Sequence, residues 1–192
     1  LRMSPSNLRT RHIDGTLPEV LTDSRGHRSY TAAEIDQIRD LMAGVGKNPT
    51  LYRPGRREGD KIQTLVVCNL KGGSGKTSTA SHLAQRYALR GYRVLAIDLD
   101  PQASLTTYFG HRPELEFSDS GTIYDALRYN DPVPLASVIR KTYFHNLDMV
   151  PAGLLLSEYD TETAAALQQR IQPIFADRLT LAIDSVQEDY DI

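Results

Sequence analysis

The chain has 192 residues, with 22 Lys and Arg against 24 Asp and Glu, a formal net charge of −2 and 40% hydrophobic residues. This is room for one good-sized domain, or a domain with a small appendage, of ordinary globular composition. No stretch of 18 apolar residues is present, the start lacks the apolar core of a signal peptide, and the lone Cys68 excludes an internal disulfide and fits a reducing, cytoplasmic setting.

The charge is unevenly spread. Residues 1–60 hold 10 basic and 8 acidic side chains, and residues 61–192 hold 12 and 16. The excess on the first segment permits nucleic-acid contact without demanding it. The chain opens on Leu1, and Tyr190-Asp191-Ile192 resembles the opening of a strand, so the sequence reads as a piece of a longer protein.

In chain order, residues 1–46 read as a small helical unit. Pro5-Ser6-Asn7-Leu8-Arg9 is a helix start, and residues 23–30 form a turn with basic flanks. Thr31 and Glu34 have capping-box spacing before a helix whose Ile35, Ile38, Leu41 and Met42 share a face, with Gly44 suited to its end. Residues 47–60 carry Pro49, Pro54, Gly55, Gly59 and Arg56-Arg57 without apolar periodicity, as a linker does. The domain boundary is placed there, with a second domain over 61–192.

Residues 62–68 are β-branched and apolar and read as a strand. A glycine loop and a helix over 76–90 follow, closed by Gly91, and then a second strand over 93–98. Two buried strands joined by a helix make a βαβ unit, hence an α/β fold with a parallel sheet. Short helices are expected at 122–129 and 135–141 and a strand at 147–150. Two more helices, over 164–172 and 174–187, break at Pro173. The second carries a stripe of Phe175, Leu179, Ala182, Ile183 and Val186.

Asn69-Leu70-Lys71-Gly72-Gly73-Ser74-Gly75-Lys76-Thr77-Ser78 lies between the expected strand and helix, the setting a phosphate-binding loop requires. Glycines let successive N–H groups turn inward onto phosphate oxygens, and the helix start adds partial positive charge. Lys76 would pair with the β- and γ-phosphates, and the Thr77 hydroxyl would ligate Mg²⁺. The ordinary pattern has Gly where this chain has Leu70. In its place a second lysine, Lys71, opens a Lys-Gly-Gly-x-Gly-Lys-Thr string.

The second motif is Asp98-Leu99-Asp100-Pro101-Gln102, at the C-terminal end of the expected second strand, where open α/β sheets bind ligands. Carboxylates at i and i+2 share one face and suit a Mg²⁺ neighbourhood. A helix cap and a turn residue remain the structural alternative for this pair. Cys68 and His82 read as packing or surface residues, and Arg140, Lys141 and Tyr143 as a solvated basic-aromatic group or a non-specific DNA contact.

These motifs resemble the ParA/MinD group of P-loop ATPases with the deviant, two-lysine Walker A motif. The resemblance implies an incomplete P-loop NTPase sheet, ATP and Mg²⁺ as cofactors, and phosphate contacts from Gly72, Gly73, Ser74, Gly75, Lys76, Thr77 and Ser78. It implies metal contacts from Thr77 and Asp98. Lys71 would reach the nucleotide of the other subunit in an ATP homodimer, and Asp100 would orient the attacking water. Arg-Ser-Tyr-Thr before the second helix, Arg-Pro-Gly-Arg-Arg-Glu-Gly, Ile139 to Phe144 and Leu147 to Pro151 are similar to the RepA branch, the partition proteins of repABC plasmids.

That branch implies ATP-dependent plasmid partition with non-specific DNA binding, a ParB-type partner, and a cytoplasmic, nucleoid-associated location without a membrane. It also implies an N-terminal helix-turn-helix unit that binds operator DNA and represses its own transcription. There residues 6–13 would be the recognition helix, with Arg9 and Arg11 toward DNA and Arg25 and Arg28 on a wing. Little hydrolysis is expected from residues 1–192 alone, because the resemblance puts the second half of the metal site after Ile192. A nucleotide-sensing transcriptional regulator and a MinD-like membrane-cycling ATPase are the alternatives. A nitrogenase-type iron protein would need cysteines beyond Cys68, and the chain has none.

Overall fold

The computed structural model describes residues 3–46, 48–57 and 59–192; Leu1, Arg2, Lys47 and Glu58, which fall in the expected N-terminal segment and linker, lie outside the described residues. The chain divides into two compact units, Leu1–Gly55 with Leu89–Gly91, and Arg56–Ala88 with Tyr92–Ile192.

In the first unit, α1 (Pro5–Ile13) starts where the Ser4 hydroxyl accepts the Asn7 N–H and Pro5 takes the first helical position. A short turn follows, bridged between Thr22 and Arg28. The Asp23 carboxylate accepts the N–H groups of Arg25 and His27 there, and Gly26 supplies the left-handed corner at φ 81°. Helix α2 (Ala32–Val45) begins on the Thr31–Glu34 capping box.

The face of α2 differs from the expected one. Ile38 and Met42 are buried with Leu17, but Leu41 is exposed, and Asp36 and Arg39 are buried in its place. Arg39 spans Asp36 Oδ1 at 3.2 Å and the Leu89 carbonyl at 2.6 Å, and Arg53 adds an ion pair to Asp36 at 2.7 Å. Apolar spacing cannot register this charged group. The helix also runs past Gly44 and ends at Gly46, where a Cβ would stand 2.7 Å from the Met42 carbonyl oxygen.

The second unit holds α3 (Lys76–Arg90) as far as Ala88, then β1 (Val94–Ile97), α4 (Ser104–Tyr108), α5 (Pro113–Glu116), α6 (Ile123–Leu127), α7 (Leu135–Val138), β2 (Arg140–Lys141), β3 (Leu147–Val150), α8 (Glu158–Gln168) and α9 (Phe175–Asp184). The sheet order is β1-β3-β2, with β1 and β3 parallel and β2 antiparallel to β3.

Alternation sorts the strand side chains onto two helix-covered faces. Val94, Ala96, Leu147 and Met149 pack with Ala84 and Ala88 of α3 and Leu105 and Phe109. Leu95, Ile97 and Val150 pack with Ile123, Leu127, Leu135, Val138 and Val186. This is the α/β layering expected from the sequence.

Three local readings are corrected. The expected strand over 62–68 has no ladder, and Leu65 and Val66 are exposed. Its neighbour is the short segment at 190–192, which lies along the free edge of β1. The Ile192 N–H donates to the Arg93 carbonyl and the Leu95 N–H to the Ile192 carbonyl, while on the other side Gln63 N–H donates to the Asp191 carbonyl at 3.2 Å. An extended segment becomes a strand only beside a partner that carries matching N–H and C=O groups.

The helix expected over 135–141 stops at Val138, where the Arg140 guanidinium caps the carbonyls of Ser137 and Ile139 and the next residues join β3. Along α9 the stripe is only partly buried. Leu179 and Ala182 pack on the core and Val186, just past the helix, is buried, but Phe175 is 49% exposed.

Candidate nucleotide-binding site

Residues 70–75 form an exposed turn that delivers the chain to the start of α3 at Lys76. Two left-handed corners shape it, Gly73 at φ 69° and Gly75 at φ 81°, and residues with a Cβ are strained there. The Asn69 side chain accepts the Lys71 N–H at 2.8 Å and tightens the entrance. A Cβ built at Gly72, Gly73 or Gly75 meets nothing within 4 Å, so the backbone of the loop is open at these positions.

Helix α3 has no acidic residue in its first turn, leaving the positive helix end uncompensated. Lys76 and Thr77 are half-buried, and Lys71 and Ser78 are exposed. Wide backbone access, a positive helix end and two ammonium groups within six residues are the donor set for a polyphosphate. Thr77 adds the hydroxyl a magnesium ion needs, so ATP and Mg²⁺ both fit the residues present.

The aspartate motif sits at the C-terminal end of β1. Asp98 is 4% exposed. Its Oδ1 accepts the Asp100 N–H at 3.2 Å, and its Oδ2 accepts both the N–H and the hydroxyl of Thr106, at 2.9 and 2.7 Å. Burial pushes the Asp98 carboxyl above its ordinary value, partly offset by the Thr106 bonds. Asp100 is half-buried, and its Oδ1 accepts the Gln102 N–H at 3.0 Å. Ala103, at φ 53°, turns the chain into α4.

Asp98 and Asp100 are thus brought together. No hydrogen bond or ion pair links either of them to residues 70–78 among the described residues, nor do three or more His, Cys, Asp or Glu residues gather into a metal cluster. Sequence spacing gave no sign of Thr106, which joins Asp98 across eight residues.

In the first unit Arg9 and Arg25 are exposed and Arg28 is half-buried beside the bridged turn. Arg11 is half-buried, and its Nε donates to Asn7 Oδ1. Helix α1 carries no acidic residue.

A glycine-cornered loop at the head of a helix, in an α/β unit with a parallel strand pair, defines the class, a P-loop nucleotide-binding protein. Residues 62–192 match the AAA_31 family, described as an AAA domain. With that match the chain belongs to the ParA/MinD-type P-loop ATPases.

Among its relatives is a protein of Sinorhizobium fredii assigned as a replication protein A. It is 43% identical over 197 residues, covering 100% of this chain and 48% of that protein. The chain thus spans about half the length of the curated relatives it matches. Among solved structures, the cobyrinic acid a,c-diamide synthase of Mycobacterium smegmatis with a bound ATP analog and magnesium is similar at a TM-score of 0.58 and 26% identity. That match covers 68% of this chain and 48% of that one. A plasmid partition protein of Borrelia burgdorferi is similar at a TM-score of 0.54 and 27% identity, covering 69% and 53%.

Proposed function

We propose that the protein is an ATP-driven plasmid partition ATPase whose phosphate loop binds Mg-ATP. The observation that carries this is the loop itself, with left-handed glycines, open backbone and a lysine at each end, at the start of α3. The replication protein A likeness and the Borrelia plasmid partition structure support the biological setting. The relative with magnesium and an ATP analog supports the cofactors.

Bound Mg-ATP supplies a phosphoanhydride whose γ-phosphoryl group passes to water. The N–H groups of residues 72–77 cradle the phosphates and, with Ser78 in the first turn, hold them at the positive end of α3. Lys76 neutralises the β- and γ-oxygens. Thr77 would offer its hydroxyl to Mg²⁺, and Asp98 would support the metal shell from its buried position. Asp100 holds the attacking water. Lys71 extends to the nucleotide of a second protomer and meets the charge that grows in the transition state, so that hydrolysis follows homodimer closure.

Residues 1–46 would serve as a winged DNA-binding segment, followed by a linker over 47–60 and the ATPase domain over 61–192. Arg9 and Arg11 on α1 and Arg25 and Arg28 on the turn would contact DNA, with operator binding as the outcome. The ATP-bound dimer would bind DNA non-specifically on the nucleoid, and a ParB-type partner would stimulate hydrolysis. Replacing Arg9 and Arg28 by Ala should weaken DNA binding and flatten its salt dependence, and an unchanged slope removes them from the interface.

The deciding experiment measures ATP turnover and Mg-ATP affinity of the full-length protein with Asp100→Ala and Lys71→Ala. Both variants should still bind nucleotide and lose at least about tenfold in kcat. Unchanged hydrolysis in both would remove Asp100 and Lys71 from catalysis, and binding without turnover in wild type would leave a protein that only senses nucleotide.

A further inference from the structure

We propose that Thr106 is a positioning residue for hydrolysis, acting through Asp98 to set the place of Asp100. This rests on the reading of Asp100 as the group that holds the attacking water.

Thr106 is fully buried and joins three segments through one hydroxyl. Its Oγ1 donates to Asp98 Oδ2 at 2.7 Å and accepts the Ala152 N–H at 3.0 Å, while its own N–H donates to the same Asp98 oxygen at 2.9 Å. The ends of β1 and β3 and the first turn of α4 therefore meet at this side chain. The pairing of β1 and β3 continues to this point, where the Asp98 N–H donates to the Val150 carbonyl at 3.1 Å.

The other Asp98 oxygen accepts the Asp100 N–H at 3.2 Å. The backbone of Asp100 is thus fixed by a carboxylate that Thr106 orients. Without the hydroxyl, Asp98 Oδ2 keeps one donor, and the Ala152 N–H loses its acceptor in the interior. The carboxylate is then held less firmly, and the Asp100 N–H can shift with it. Reacting geometry is sensitive to shifts of about 1 Å. The Asp100 side chain would drift while the phosphate loop, on a separate segment, still binds nucleotide.

The test compares Thr106→Val, which removes the hydroxyl at constant shape, with Thr106→Ser, which restores it. Asp100→Ala is the reference, and kcat and KM for Mg-ATP are read in the full-length protein. The expected result is a loss of about tenfold or more in kcat for Thr106→Val with KM within about threefold, and recovery to within about threefold of wild type in Thr106→Ser. If Thr106→Val does not fold, Thr106→Ala against Thr106→Ser gives the same comparison.

A valine or alanine variant with wild-type kcat, or one that loses KM and kcat together, overturns the inference alone. A serine variant as slow as the valine variant does the same. If wild type hydrolyses no ATP, or Asp100→Ala keeps full turnover, the proposed function falls and takes this inference with it.

Discussion

Arg93 and Asp191 hold each other at the edge of β1. The Arg93 Nη2 stands 3.0 Å from Asp191 Oδ1, the Arg93 N–H donates to Asp191 Oδ2 at 2.8 Å, and the Asp191 N–H donates back to the Arg93 carbonyl at 2.8 Å. Burial alone would raise the Asp191 carboxyl, but the bonds from Arg93 and from the Arg56 N–H outweigh it and hold the group below its ordinary value. A depressed carboxylate contributes stability above its unfolded pKa and loses it as pH falls through its folded value. In Arg93→Ala the guanidinium bonds and charge go, while burial and the two backbone N–H donors remain, so the carboxyl is depressed less than in wild type. The stability gap between wild type and Arg93→Ala, read from urea midpoints, should therefore narrow as pH is lowered from about 6 to about 3. A gap independent of pH would remove Asp191 from this account.

The phosphate loop separates two glycine roles. Gly73 stands at φ 69° in open space, so Gly73→Ala strains the backbone by about 1 kcal/mol and should lower both stability and Mg-ATP affinity. Gly72 has no left-handed constraint and nothing within 4 Å of an added Cβ. Gly72→Ala should leave the urea midpoint unchanged while weakening nucleotide binding, because the methyl group would occupy the space a phosphate needs. Unchanged affinity in Gly72→Ala would place the phosphates elsewhere.

Helix α2 yields a paired stability test. Ile38 is fully buried and Leu41 is 45% exposed. Ile38→Ala should cost about 3 kcal/mol by the large-to-small rule, and Leu41→Ala no more than about 0.5 kcal/mol. Equal costs in chemical denaturation would mean that the apolar spacing, rather than the Asp36–Arg39 pair, sets the buried face.

Much of the ATPase-like unit was legible in the sequence, because its signals are local. The lysine-glycine string, the helix that follows it and the apolar runs at 94–97 and 147–150 each depend on neighbours in the chain. The capping box at Thr31 and Glu34 was legible for the same reason. What escaped depends on partners distant in sequence. Residues 62–68 have strand composition, yet among the described residues they meet the segment at 190–192 through the Gln63 N–H to the Asp191 carbonyl and form no ladder. The burial of Arg39 follows from the Leu89 carbonyl, 50 residues away, and Thr106 was hidden because its role needs Asp98 and Ala152 together. At the site, types and spacing pointed to phosphate and metal chemistry, but only coordinates show that Asp98 spends both oxygens on backbone and hydroxyl donors.

The most direct test of the account is isothermal titration of the full-length protein with Mg-ATP, wild type against Lys76→Ala. The account predicts saturable one-to-one binding per protomer in wild type and a loss of at least about tenfold in affinity, roughly 1.4 kcal/mol or more, in the variant. Wild type that binds no Mg-ATP, or equal affinity in both proteins, would contradict it.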